Sequence, residues 1–120
     1  MRVLLTGGAG YIGAHTAVAL IEAGHEALIV DDLSATSAEA VRRIERITGK
    51  TVPFLEADVR DVDALSSFVR EHGPVDAVVH LAGLKAVGES VAQPVRYYDV
   101  NLGTSLALLQ VMAAERIAPP

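Results

Sequence analysis

The sequence predicts an α/β fold, a parallel sheet covered on both faces by helices. Three observations carry this. Short β-rich runs alternate with longer helix-forming runs, which calls for crossover connections between parallel strands. The strand runs are almost continuously apolar, as strands buried on both faces are. A glycine cluster, Gly7, Gly8, Gly10 and Gly13, follows the first strand directly and opens the first helix.

Each element has its own warrant. Residues 2–6 form the first strand. Residues 11–23 are helix formers, closed by Gly24, a residue type that suits the position just past a helix end. Residues 27–30 form the second strand, stopped by Asp31-Asp32. Thr36-Ser37-Ala38-Glu39 matches the capping box of a helix start. In the helix it opens, Val41, Ile44 and Ile47 recur at helical spacing, with Arg42, Arg43, Glu45 and Arg46 on the other side.

Residues 52–57 form the third strand. Asp61 caps a helix whose inner face is Val62, Leu65, Phe68 and Val69, and Gly73-Pro74 ends it. Residues 75–81 form the fourth strand. A loop over 82–94 then leads to a long helix over 95–114, and Ala118-Pro119-Pro120 closes the sequence. The strand order expected is 3-2-1-4, a Rossmann-type doubly wound sheet truncated after four strands, with ligands beyond the carboxyl ends of the strands.

Composition narrows the function. The 120 residues allow one domain. Half are apolar (51%) and 21% are charged, the balance of a globular chain. The net charge of -5 offers no basic footprint for nucleic acid. With no cysteine, disulfides, a thiol nucleophile and a cysteine metal site are excluded, and a reducing, cytoplasmic location is expected. No apolar run reaches membrane-spanning length, and the apolar part of 1–7 is too short for a signal peptide.

The glycine spacing 7, 10, 13 has a physical meaning. Gly7 allows a tight turn, Gly10 removes a side chain where backbone approaches a pyrophosphate, and Gly13 lets helix and strand pack closely. The helix start then offers free amides and a positive dipole end to phosphates. A glycine-rich turn without a ligand is the plainer alternative; the position between strand and helix favours the phosphate cradle.

Asp31 ends the second strand, where a carboxylate accepts from both adenosine ribose hydroxyls and thereby selects NAD. No arginine follows at Asp32 or Leu33 to welcome a 2′-phosphate, and Asp32 is itself a candidate turn aspartate. Asp58, after the third strand, either accepts from the adenine amino group or shares helix capping with Asp61. His80 lies in an apolar strand and reads as a satisfied core histidine rather than a catalyst. His15, His25 and His72 lack metal-like spacing, so no metal site is expected.

Two runs carry a resemblance. Leu-Thr-Gly-Gly-Ala-Gly-Tyr-Ile-Gly, from Leu5 to Gly13, resembles the extended short-chain dehydrogenase/reductase superfamily. His-Leu-Ala-Gly-Leu-Lys-Ala-Val-Gly-Glu-Ser, from His80 to Ser90, followed by Pro94 and Tyr97-Tyr98, closely resembles the UDP-glucose 4-epimerase family. The likeness covers residues 1–114.

The resemblance implies a bound, recycled NAD that takes a hydride from C4 of a UDP-hexose and returns it to the opposite face. By motif, Gly7, Gly10, Tyr11, Ile12 and Gly13 would meet the pyrophosphate. Asp31 would hold the ribose, with Asp32, Leu33, Ser34 and Thr36 nearby. Asp58 and Val59 would touch adenine. Leu81, Ala82, Gly83 and Lys85 would line the middle of the cofactor. The family usually has two asparagines after Tyr-Tyr-Asp. Here the first position is Val100, and only Asn101 remains to offer its amide to the cofactor.

A second departure concerns catalysis. The family's base is a tyrosine with a lysine four residues later, whose charge lowers the phenol pKa. Here Tyr11 is followed at that spacing by His15, Tyr97 by Asn101 and Tyr98 by Leu102. No catalytic residue is therefore assigned. The chain is expected to be the N-terminal part of an NAD-binding domain, lacking the catalytic and substrate portion and inactive alone. Leu102, Leu106 and Leu109 form one stripe of the last helix, while Leu108, Val111 and Met112 lie on other sides. That helix, or the open edge of the fourth strand, is expected to pair with a second copy. Other readings are a nucleotide-sugar dehydratase or decarboxylase, against which the 84–90 run argues, and a non-catalytic dinucleotide-binding module.

Overall fold

The computed structural model describes residues 1–117; Ala118-Pro119-Pro120 lies outside them. The elements run β1 (Arg2–Thr6), α1 (Tyr11–Glu22), β2 (Glu26–Asp31), α2 (Glu39–Thr48), β3 (Phe54–Glu56), α3 (Val62–His72), β4 (Ala77–His80), α4 (Val87–Ala92) and α5 (Pro94–Glu115). The sheet order is β3-β2-β1-β4, and every pairing is parallel. This is the order expected from the alternation of elements.

Alternation along each strand builds two cores. Val3 and Leu5 pack with Ala27, Ile29, Ala17, Val41 and Ile44, under α1 and α2. Leu4 packs with Leu28, Val30, Leu65, Phe68, Leu108 and Val111, under α3 and α5. With both faces covered, β1 and β2 show no polar alternation. Val3↔Ala77 and Thr6↔His80 set the register of β1 with β4, which aligns the carboxyl ends of both strands.

Some expectations change in detail. β3 and β4 are shorter than the runs 52–57 and 75–81. Residues 82–94 hold the short helix α4, because Glu89 and Val91 continue a helical turn despite Gly88. The capping box at Thr36-Ser37-Ala38-Glu39 does not form. The helix starts after Ala38 with no side-chain cap. The Thr36 hydroxyl donates to Asp31 Oδ1 at 2.9 Å, and the Glu39 carboxylate turns to Arg42 and Arg46. Asp61 does cap α3, accepting from the Ala64 amide at 3.1 Å.

Candidate functional site at the strand ends

A cleft of about 290 Å³ opens beyond the carboxyl ends of the strands. Gly7, Gly10, Tyr11, Ile12 and Gly13 form one wall. The turn is built from backbone: Gly7 donates to Val30 O at 2.8 Å, and Gly10 to Gly7 O at 3.2 Å. Gly7 has φ +69°, the left-handed region that favours glycine. A Cβ on Gly13 would stand 2.5 Å from Gly7 O, so strand end and helix start touch directly. A Cβ on Gly10 would meet only Gly7 O at 3.3 Å and the Thr36 methyl at 3.9 Å; otherwise it would occupy the cleft itself.

The start of α1 lacks a side-chain cap, and no acidic residue stands in its first turn. Its first amides therefore have no partner within the helix and carry the positive end of its dipole. A group with phosphate oxygens matches this donor set, and the missing Gly10 side chain leaves it room.

Asp31 closes the second wall. It is 7% exposed, and its carboxylate accepts from Ala9 N at 3.1 Å, Leu33 N at 2.9 Å and the Thr36 hydroxyl at 2.9 Å. These bonds orient it at the lip of the cleft. Asp32 also borders the cleft, but its Oδ1 is engaged by the Ser34 amide and hydroxyl, the arrangement of a turn aspartate. Ser34 and Thr36 reach the cleft, whereas Leu33 takes part through its amide and a φ of +59°.

The far end is formed by Asp58 and Val59. Asp58 does not share in capping α3. Its carboxylate accepts from the Arg60 amide at 2.8 Å and from the Arg60 guanidinium, also at 2.8 Å. That guanidinium holds the Asp58 carboxyl below its ordinary range, against a smaller opposing effect of burial. Arg60 also reaches Asp99 of α5 at 3.2 Å.

The floor is the loop after β4: Leu81, Ala82, Gly83 and Lys85. Asn101 is placed differently from the other residues singled out in the sequence. Its Oδ1 accepts from Leu84 N at 2.7 Å and its Nδ2 donates to Leu84 O at 3.0 Å. It clamps the loop, while Val100 and Thr104 of the same helix border the cleft. Those two, with Ala35, Ala57 and Leu84, escaped the sequence reading. Only the three-to-four-residue spacing of Val100 and Thr104 on one helix face signals them. Among the described residues no cluster suits a metal ion, and no helix is long and apolar enough to cross a membrane.

The comparisons with known proteins agree with this geometry. Residues 3–118 match the NAD dependent epimerase/dehydratase family. A UDP-glucose 4-epimerase of Bacillus subtilis is 51% identical over 112 residues, covering 93% of this chain and 33% of the relative. A crystal structure of UDP-glucose 4-epimerase from Stenotrophomonas maltophila, with bound NAD and formylated UDP-arabinopyranose, superposes with a TM-score of 0.93 at 47% identity. It covers 98% of this chain, which spans 34% of it. The Bifidobacterium longum UDP-glucose 4-epimerase, in complex with NAD+ and UDP, gives a TM-score of 0.93 at 45% identity, again with 98% of this chain and 36% of the other. This chain thus spans about a third of the length of these relatives. By family match and by identity, it belongs to the NAD dependent epimerase/dehydratase family, alongside UDP-glucose 4-epimerases.

Proposed function

We propose that this chain is the NAD-binding portion of a UDP-glucose 4-epimerase. The observation that carries the reading is the uncapped start of α1, facing Asp31 across a cleft floored by the loop after β4. The amides of Tyr11, Ile12 and Gly13 receive the diphosphate, and Gly10 gives it room. Asp31 accepts from the adenosine ribose hydroxyls, which favours NAD over a 2′-phosphorylated dinucleotide. Asp58, pinned by Arg60, accepts from the adenine amino group, with Val59 beside it. Lys85, exposed in the loop, supplies an ammonium to phosphate or ribose oxygens. Bound NAD supplies the hydride acceptor; the chain's own residues hold and orient it.

No Tyr-x-x-x-Lys occurs in the 120 residues. The chain alone therefore binds the cofactor without epimerising a UDP-hexose, and the substrate engages only in a longer protein. Thermal unfolding across an NAD titration tests the binding, since a ligand held by the folded state raises Tm with concentration. A rise that Asp31→Ala weakens supports the reading. A flat Tm, or a rise unaffected by Asp31→Ala, contradicts it. Turnover of UDP-galactose by the 120-residue chain would contradict the division of labour.

The exposed stripe of Leu102, Leu106 and Leu109 on α5, each more than half exposed, is proposed to cover itself against a second copy. The outer edge of β4 has no strand beside it among the described residues and offers a second route.

A further inference from the structure

Thr6 and His80 end adjacent strands, directly paired across β1 and β4. The Thr6 side chain is fully buried. Its oxygen accepts from Leu81 N at 3.1 Å and Ala82 N at 3.2 Å, and it also bonds His80 Nδ1. A hydroxyl has two acceptor lone pairs and one proton. Leu81 N is shared with the Thr6 carbonyl at 3.0 Å, whereas Ala82 N takes the hydroxyl oxygen as its acceptor; with both donors aimed at that oxygen, its own proton is placed toward Nδ1. The ring proton then sits on Nε2, which faces Ser105 Oγ at 3.3 Å. Ser105 donates in turn to Asn101 O at 3.1 Å, leaving a lone pair for the imidazole. The bonds run from the cleft floor through the ring to α5.

We propose that His80 is a positioning residue for the cofactor loop: its neutral ring, protonated on Nε2, orients the Thr6 hydroxyl that holds the Leu81 and Ala82 amides against the glycine turn. The role rests on the NAD-binding reading of the cleft. The turn leaves no slack, because a methyl on Gly7 would stand 2.8 Å from both Ala82 N and Leu81 C. Protonation of His80 places a hydrogen on Nδ1 opposite an oxygen that already accepts from Leu81 N and Ala82 N. Leu81 N keeps the Thr6 carbonyl, so the amide released is that of Ala82, and the floor of the cleft shifts. The groups facing the ring are Thr6 from β1 and Ser105 from α5, neither of them titratable here. The residue is exposed overall; partial burial of its ring is the one cause that lowers its pKa, and no charged side chain contributes. The neutral form is thereby favoured.

The test compares NAD affinity of the wild-type chain, His80→Ala and His80→Asn between about pH 7.5 and about pH 5. Wild type should weaken roughly fivefold on acidification, the factor one lost hydrogen bond carries. His80→Ala should bind weakly throughout. His80→Asn, whose amide oxygen replaces Nδ1 as acceptor, should recover most of that loss and show no acid weakening. Wild-type affinity in His80→Ala, or the same acid loss in all three, overturns the proposal. The ring's ¹⁵N shifts in the free chain are a second readout: a proton on Nδ1 at neutral pH overturns the proposal whatever NAD does. If wild type takes up no NAD at any pH, the cofactor reading is what fails. The network is then judged on Ala82 amide protection, which should fall with acid in wild type but not in His80→Asn; equal protection in both overturns it.

Discussion

Asp31 Oδ2 accepts the backbone amide of Ala9 at 3.1 Å, so the carboxylate that ends β2 also holds the glycine turn that follows β1. One side chain thereby fixes the distance between the two walls of the cleft. Asp31→Ala leaves the Ala9 and Leu33 amides and the Thr36 hydroxyl without their acceptor. We expect a loss of about 1–3 kcal/mol in denaturant unfolding, together with the weakened NAD response. Unchanged stability would show that these bonds are replaced by water at no cost.

The glycines separate by surroundings. At Gly13 a Cβ would meet the backbone of Gly7 and Gly8 at 2.5 and 2.7 Å, with no side chain to yield. Gly13→Ala should cost about 3 kcal/mol or more, measured by chemical denaturation. Gly88, inside α4, meets nothing within 4 Å. Gly88→Ala should raise stability by up to about 1 kcal/mol, from helix propensity alone.

Acid acts on the fold through two groups with the same sign. His80 is shifted down by burial and Asp58 by the Arg60 guanidinium. In each case the unfolded chain binds the proton more readily, so stability falls as pH falls. The histidine contribution is complete above its ordinary pKa of about 6.5 and declines below it; the aspartate contribution is lost below about pH 4. Because the Asp58–Arg60 pair is more than a third exposed, solvent screens it and its share is small. Unfolding curves at successive pH values should show the upper step vanish in His80→Asn and the lower step shrink in Arg60→Ala.

Self-association should depend on α5. Leu106 is 62% exposed in the middle of its stripe. Leu106→Glu should shift sedimentation toward the monomer at micromolar concentration while leaving the melting of a dilute sample nearly unchanged. Persistent dimers in this variant would move the contact to the edge of β4.

Much of this was legible in residue order. Arg2–Thr6 and the start of α1 at Tyr11 follow from an apolar run meeting glycines, and the Asp61 cap follows from its place before Val62. The capping box failed because Thr36 has a stronger partner in three dimensions: Asp31, five residues back, draws its hydroxyl to the cleft. α4 was hidden because six residues around a glycine carry too few turns for periodicity to register. The local role of Asn101 was equally hidden. A lone amide near a cofactor motif suggests a ligand contact, yet both its atoms go to Leu84. The Thr6–His80–Ser105 chain joins residues 74 and 25 positions apart, a separation no local pattern encodes.

The most direct measurement is a crystal structure of the chain grown with NAD. The diphosphate should lie within hydrogen-bonding distance of the Tyr11, Ile12 and Gly13 amides, with both adenosine ribose hydroxyls on Asp31. A dinucleotide bound elsewhere, or an empty cleft at saturating NAD, would contradict the assignment.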